Sequence, residues 1–391
     1  MIQGSFSLIL FLGGLVAVVL WVEKRPAFRR VFHYLPAAFW CYFIPMVVAT
    51  FGGLPEKSPV YDFLTRDVLS ACLILLLLDV NLPAIARLGP MALGSMAVGA
   101  FGIAVGAVGA YALFARWLPP ETWKGVGALS ASWIGGSANM LAVKEGLHVP
   151  ESVFAPMVIV DTLITYSWMG ILVALVIFQE RWDAWVGADR KLLEDVTRRL
   201  EGLSASRGVQ DTRWRHGLWL LGGGLVAGSL CLRAGRLLPA IDSAGLSQEG
   251  WAFLLATFLG ILLSLTPVAR LERYGASRWG YLCLYLLLAA MGSRARLQYI
   301  LQAPLLVGMA YLWVSIHAAL LVVFGFVFRV PMFFLVTSSQ ANIGGTASTP
   351  IVAGVYQPRL ATLGLLLAIA GNVVGTTAGI LIAQACHWVH P

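Results

Sequence analysis

The strongest constraint in this sequence is a series of uninterrupted apolar runs. Phe6 to Val22, Met91 to Ala115 and Leu360 to Ala383 are examples. A helix of about 20 residues crosses the hydrocarbon core of a bilayer. The runs are continuous rather than alternating, which excludes a β-barrel reading. With 59% hydrophobic and 12% charged residues, the chain is far more apolar than soluble domains, of which about 25% is charged. The expected fold class is therefore an all-α polytopic membrane protein. The opening MIQGSFSLILF has neither a basic start nor a small-residue cleavage site, so it reads as a first membrane helix rather than a cleaved signal.

The formal net charge is +8. Basic residues in cytoplasmic loops account for it, because they fix the orientation of membrane helices. No Lys/Arg-rich stretch carries interleaved aromatics, so no nucleic-acid partner is expected. Cys41, Cys72, Cys231, Cys283 and Cys386 stand singly, without a CxxC pair; they read as buried free thiols. There is no P-loop, no HExxH, no GxSxG and no Ser-His-Asp set. The chain is not expected to be an enzyme, and no cofactor is expected beyond a bound sodium ion.

Shifted by 209 residues, the sequence falls on itself. Leu12-Gly13-Gly14 meets Leu221-Gly222-Gly223, and Ala86-Arg87-Leu88 meets Ala295-Arg296-Leu297. Ile134-Gly135-Gly136 meets Ile343-Gly344-Gly345, and Gly170-Ile171-Leu172 meets Gly379-Ile380-Leu381. Four triplets in one register without a gap define two repeats, 5–180 and 214–389. A charged linker, 181–213, joins them, with an amphipathic helix expected around Lys191–Leu200. Each half offers five apolar spans: 5–22, 36–52, 66–82, 91–116 and 150–178, then 216–233, 248–268, 277–293, 303–328 and 360–385. Between the fourth and fifth span of each half lies a polar interruption, WIGGSANMLAVKEG (Trp133–Gly146) and ANIGGTASTPIVAG (Ala341–Gly354). Each is a broken helix that either crosses the membrane or returns as a re-entrant hairpin. With hairpins and an outside N-terminus, most of the 27 Lys and Arg residues fall on the inside, as the positive-inside rule requires. That gives ten crossings and two hairpins. Five crossings per half invert the second repeat, the pattern of secondary transporters.

Backbone broken inside a membrane is tolerated only where protein buries it or where it lines a wet cavity. Gly135, Gly136, Gly344 and Gly345 permit a turn and close approach. Ser137 and Asn139 at one tip, and Asn342, Thr346, Ser348 and Thr349 at the other, supply neutral oxygens that suit a hard monovalent cation or a polar solute. Pro350 is expected to stop the second tip from continuing as regular helix. Asp161, inside the 150–178 span, is an intramembrane carboxylate and so a functional candidate, with Thr162 and Thr165 nearby. Its repeat counterpart is Ala370, with Asn372 two residues on. Asp161, Asn139 and Asn342 form the expected sodium ligand set.

Other features have plainer readings. Gly102 and Gly106, and Gly371, Gly375 and Gly379, form GxxxG packing faces. His317 is a satisfied packing residue. Lys144 and Glu145 pair at a hairpin base. Asp79 and Asn81 lie at a span end near Arg87. Arg294 and Arg296 anchor at the interface or attract an anionic solute. Trp117, Trp123, Trp182, Trp185 and Trp214 flank spans as interfacial belts.

The two tip sequences, WIGGSANMLAVKEG and ANIGGTASTPIVAG, resemble the paired signatures of the YjcL-like bacterial membrane proteins, a family of unknown function. The resemblance runs over essentially the whole chain. That family is in turn distantly similar to the sodium-coupled glutamate and bile-acid symporters. The resemblance implies two inverted repeats, re-entrant or crossed broken segments, and an elevator-like moving domain; it implies no particular substrate. The expectation is a multi-pass protein of a bacterial inner membrane that couples sodium or protons to movement of a small anionic organic solute. Spans three to five with the hairpins would move, and spans one and two would form a scaffold and homodimer interface in the lipid. The alternatives are a sodium/proton antiporter without organic substrate, and a non-transporting sensor or assembly protein.

Overall fold

A computed structural model describes residues 4–188, 214–241, 246–298, 303–357 and 360–389. The helix expected at Lys191–Leu200, and most of the linker, lie outside them. Among the described residues the chain is helical, with one isolated β-bridge, Ile241 to Leu246. In the first half, α1 is Ser5–Glu23, α2 Ala37–Thr50, α3 Leu69–Leu77, α4 Pro90–Phe114, α5 Thr122–Gly135, α6 Ser137–Gly146 and α7 Glu151–Ala174. The short α8, Gln179–Val186, follows. In the second half, α9 is Trp214–Gly235, α10 Gln248–Ser264, α11 Ala276–Arg294 and α12 Ala303–Val327. Then come α13 Met332–Ile343, α14 Gly345–Tyr356, α15 Ala361–Asn372 and α16 Gly375–Val389.

Among the described residues, five helices are long and apolar enough to cross a membrane: Ser5–Glu23, Pro90–Trp117, Glu151–Val186, Arg215–Gly235 and Pro304–Val327. The number is up to eight if each of three bent pairs is one span. This falls short of the ten crossings expected from the sequence. The third spans explain part of the difference. In the first half the helix enters early, through Pro59–Phe63 and a π-helical turn at Leu64–Val68, so α3 itself has only 9 residues. Its counterpart α11 has 19 residues, but Arg278, Tyr281 and Tyr285 dilute its apolar character.

The chain divides into two compact units. Unit 1 takes Met1–Asp79, Leu141–Thr162 and Gln210–Leu306; unit 2 takes Val80–Met140, Leu163–Val209 and Val307–Pro391. Each unit therefore draws matching pieces from both halves. Unit 1 holds α1 to α3 with α9 to α11; unit 2 holds α4 and α5 with α12 to α16. The division falls inside α6 and α7 and in the first turn of α12. The third spans belong with the first two, not with the fourth and fifth as expected, because α11 packs on α2 and α3, and α3 packs on α9 and α10.

Within unit 1, α2 and α11 approach so closely that a Cβ on Gly292 would overlap the Tyr42 carbonyl. Lys144 is buried and bridges Glu145 and Glu151 at 2.7 and 2.8 Å. The expected Lys144–Glu145 pair is thus present and extended. Arg296 pairs with the exposed Glu56 at 3.0 Å, as an interfacial residue would.

Within unit 2, Phe333, Phe334, Leu363 and Leu367 lie in a fully buried apolar core. The buried Asp183 of α8 accepts the Met332 N–H at 2.9 Å and so caps the first turn of α13. Gly102 and Gly106 do serve packing: a Cβ on either would press into His317 or Trp313 of α12. His317 is fully bonded, Nδ1 to the Gly99 carbonyl at 2.8 Å and Nε2 to Ser339 Oγ at 2.9 Å. A carbonyl only accepts, so Nδ1 carries the proton. Ser339 then donates to Nε2 while accepting from Trp168 Nε1 at 2.9 Å. Of the tryptophans expected in belts, Trp117 and Trp185 are exposed, but Trp123 is buried against His387 and Trp182 donates to the Val330 carbonyl. Those two are packing residues.

Candidate functional site

Among the described residues, three helix breaks lie in unit 2. The first separates α5 from α6 at Gly136, where φ is +83°. The second separates α13 from α14 at Gly344 and Gly345, where Gly345 has φ +62°. In each pair only the second glycine is left-handed, a conformation that costs other residues much more. The third, which the sequence did not suggest, separates α15 from α16 at Val373–Val374 and bends the chain by 58°.

The first and third breaks are in contact. A Cβ on Gly135 would stand 2.7 Å from Gly375 Cα and 2.9 Å from the Gly371 carbonyl, and a Cβ on Gly371 would overlap the Ile134 carbonyl. The glycine stripe on α15 and α16 is therefore a packing face, and what it packs against is the other break. Asn139 fastens the junction. Its Nδ2 donates to the Gly135 carbonyl, and its Oδ1 accepts from Thr376 Oγ1 and, at 3.1 Å, from the Thr376 N–H. One buried amide thus satisfies the end of α5 and the start of α16. Asn372, half-buried at the end of α15, faces Gly136: a Cβ there would sit 3.5 Å from its Oδ1.

The second break is stitched in the same way. Ser348 donates to the Gly344 carbonyl at 2.9 Å, and Thr349 to the Gly345 carbonyl. Asn139 and Ser348 are 209 residues apart, as are Gly135 and Gly344. At equivalent positions of the two halves, a side chain four residues past the break satisfies its freed carbonyl. Gln340 also bridges this break, donating from Nε2 to Ser348 Oγ at 2.6 Å. A Cβ on Gly344 would overlap the side-chain ends of Gln340 and Ser348, so a larger residue there would displace both. Thr165 donates to the Ile343 carbonyl at 2.9 Å. Pro350 does not end the helix as expected: α14 continues through it to Tyr356. A proline inside a membrane helix is tolerated where the surrounding protein accommodates the carbonyl that it leaves free.

Behind the second break α13 carries an unusual load. Thr337 Oγ1, Ser338 Oγ, Gln340 Oε1 and Asn342 Oδ1 are buried and have no hydrogen-bond partner in the protein. Asn342 Nδ2 is engaged, donating to the Ser338 carbonyl at 2.9 Å and reaching Met96. An unsatisfied buried polar atom costs about 1–3 kcal/mol, so four on one helix are a substantial charge against stability. Ser137 and Thr346, the first polar residues past the two breaks, are half-buried. Thr337, Ser338, Ser339 and Gln340 were missed because the IGG signature draws attention downstream. Their signal was the run TSSQAN, five polar residues among six, directly before it.

Asp161 and Thr162 sit half-buried on the part of α7 that belongs to unit 1. Thr162 donates to the Val158 carbonyl at 3.1 Å within its own helix. The remaining residues expected at the site, Gly135 to Asn139 and Asn342 to Asn372, belong to unit 2.

A multi-span helical membrane protein, with paired helix breaks at equivalent positions of two halves, is the class these features define. Residues 10–388 match the model of a family described as a protein of unknown function, DUF819, and the chain belongs to that family. It is also similar to the "Uncharacterized membrane protein YjcL" of Bacillus subtilis (strain 168), at 26% identity over 351 residues, 85% of this chain and 86% of that protein.

Proposed function

We propose that the protein is a secondary transporter of a bacterial inner membrane that couples sodium or protons to movement of a small anionic organic solute. The observation that carries this reading is the second break of unit 2, with four unpartnered oxygens on α13. Such atoms are costly unless something binds them, and discontinuous helices supply ion and substrate sites in transporters. In this reading Gln340, Asn342, Ser338 and Thr337 present oxygens to the cation or solute. The N-termini of α6, α14 and α16 carry the positive ends of helix dipoles and favour its anionic group. Asn139 and Ser348 hold the breaks in shape. Asp161 is the titratable or cation-binding carboxylate.

The two halves are inverted repeats in this reading, and the pairing of matching pieces within each unit supports it. Unit 2 is the moving body of an elevator and unit 1 the scaffold. Gly13 and Gly14 of α1, and Gly222 and Gly223 of α9, meet no neighbour within 4 Å. They leave faces on which a second copy packs closely.

The test is thermal stability of the detergent-purified protein against sodium, potassium and pH. A ligand of the folded state adds about 2.7 kcal/mol at a hundred times its Kd. A sodium-specific rise in Tm, absent from Asp161→Asn, supports sodium coupling. A pH effect removed by the same substitution supports proton coupling. Stability indifferent to both ions would remove the coupling site from this reading.

A further inference from the structure

Unit 1 contains a cavity at one end of its helices that the transport reading does not use. It measures about 200 Å³ and is lined by His216, Trp219, Leu220, Leu271 and Tyr274. The first two turns of α9 form one wall. The other is the 3-10 helix Pro267–Tyr274, which turns 93° away from α10. With α10 taken as the membrane-crossing part of this bent pair, the helix set across it lies along the bilayer surface, which puts the cavity at the depth of the lipid headgroups.

The 3-10 helix is amphipathic with its own period. Three residues per turn bring positions i and i+3 onto one face. Val268, Leu271 and Tyr274 share one such face, and the latter two line the cavity. Arg270 and Arg273 share another, and both are exposed. Glu272 does not neutralise them at close range: its carboxylate accepts from the Ser277 N–H at 2.9 Å and from Ser277 Oγ at 2.5 Å. It thereby caps the start of α11. Arg215 and Arg278, in the first turns of α9 and α11, are also exposed and lie at the same end. Inside the cavity wall, His216 packs against Tyr274 in a tilted arrangement with ring centroids 4.6 Å apart. Its Nδ1 is buried without a hydrogen-bond partner.

The volume selects among ligands. Pockets that enclose a whole small organic molecule hold about 300–1,000 Å³. This one holds less, and takes part of a longer molecule. Its wall is largely apolar, with the His216 imidazole, the Trp219 indole N–H and the Tyr274 hydroxyl as its polar groups, and two exposed arginines lie on the neighbouring face of the same 3-10 helix. An acyl chain with an anionic headgroup matches both.

We propose that unit 1 binds one anionic phospholipid, with an acyl segment in the cavity between α9 and the Pro267–Tyr274 helix and the phosphate at Arg270 and Arg273. The bilayer is as apolar as the cavity, so burying the chain adds little drive; the cavity selects shape and the arginines select charge. This end carries basic loops that the positive-inside pattern puts in the cytoplasm, the leaflet where anionic lipid attracts such residues.

Native mass spectrometry of the full chain, titrated with dioleoylphosphatidylglycerol or dioleoylphosphatidylcholine, reads the affinity for the first bound lipid. Wild type is expected to favour phosphatidylglycerol. The exposed pair Arg270→Gln and Arg273→Gln should weaken that lipid on the order of tenfold and leave phosphatidylcholine unchanged. Leu271→Trp, which fills the cavity from an exposed position, should weaken it as well. An unchanged Tm in both variants shows that they fold. Equal binding of the two lipids, or retention of phosphatidylglycerol by the arginine variant, overturns the proposal. So does retention by Leu271→Trp alone, which would leave only diffuse charge. Full competition by millimolar inorganic phosphate would likewise overturn it, reassigning the rim to a small anion.

Discussion

Asn139 joins two pieces of backbone with one side chain. Its amide satisfies the Gly135 carbonyl at the end of α5 and the Thr376 N–H that opens α16. Asn139→Ala leaves a buried carbonyl and a buried N–H without partners, so it should cost about 1–3 kcal/mol. The melting temperature in detergent should fall by several degrees, while Ser137→Ala, half-buried at the same tip, should stay within about 0.5 kcal/mol. Equal effects would mean that the junction is not held by Asn139. Gln340 should behave in the opposite sense. Gln340→Leu removes an unpartnered oxygen, and Ser348 keeps its acceptor at Gly344. Folding stability should change by less than about 1 kcal/mol. Any stabilisation by sodium or solute should disappear, a separation that a purely structural Gln340 would not show.

At the scale of the element, what the sequence revealed and what it hid have distinct physical origins. The Gly-Gly pairs at 135–136 and 344–345 announced two breaks, because a left-handed residue inside an apolar run has few other uses. The third break carried no such signal. Val373 and Val374 are apolar, and residues 360–385 read as one continuous span. The discontinuity accompanies contact with α5, which lies more than 200 residues away in sequence. Gly371 and Gly375 looked like an ordinary GxxxG face; only the fold shows that the surface they meet is a helix end. Gln340 was hidden differently. It stands one residue before the tip as the sequence delimited it, and its equivalent in the first half is Ala131, so the repeat gave no reminder. Gly371→Ala tests the contact between breaks. Its Cβ would overlap the Ile134 carbonyl, which is backbone and cannot turn aside. Overpacking of this kind costs about 1–3 kcal/mol or more, read as a lower melting temperature and poorer recovery of folded protein. Gly170→Ala is the control, because open space surrounds that position and alanine favours a helix by up to about 1 kcal/mol.

For the whole molecule, the transport reading stands on the two halves having opposite orientations. The helix starts at Ser5, Thr122 and Glu151 recur at Trp214, Met332 and Ala361, which establishes matching order but not direction. A hinged elevator needs direction: two parallel halves would present their breaks from the same side, and alternating access by inverted repeats would lose its basis. Equivalent loops decide the matter. Arg25 follows α1, Arg236 follows α9, and both are exposed. All five native cysteines are buried, so engineered cysteines at these two positions stand out against a quiet background. In intact cells a membrane-impermeant maleimide should label Arg236→Cys and leave Arg25→Cys untouched, with the reverse in inside-out vesicles. The orientation follows from the basic residues: Lys24, Arg25, Arg29 and Arg30 cluster after the first span, as a cytoplasmic loop requires. Labelling of both from the same side would make the halves parallel and leave unit 2 without an inverted partner arrangement. Its unpartnered oxygens would then call for a fixed site instead of a moving one.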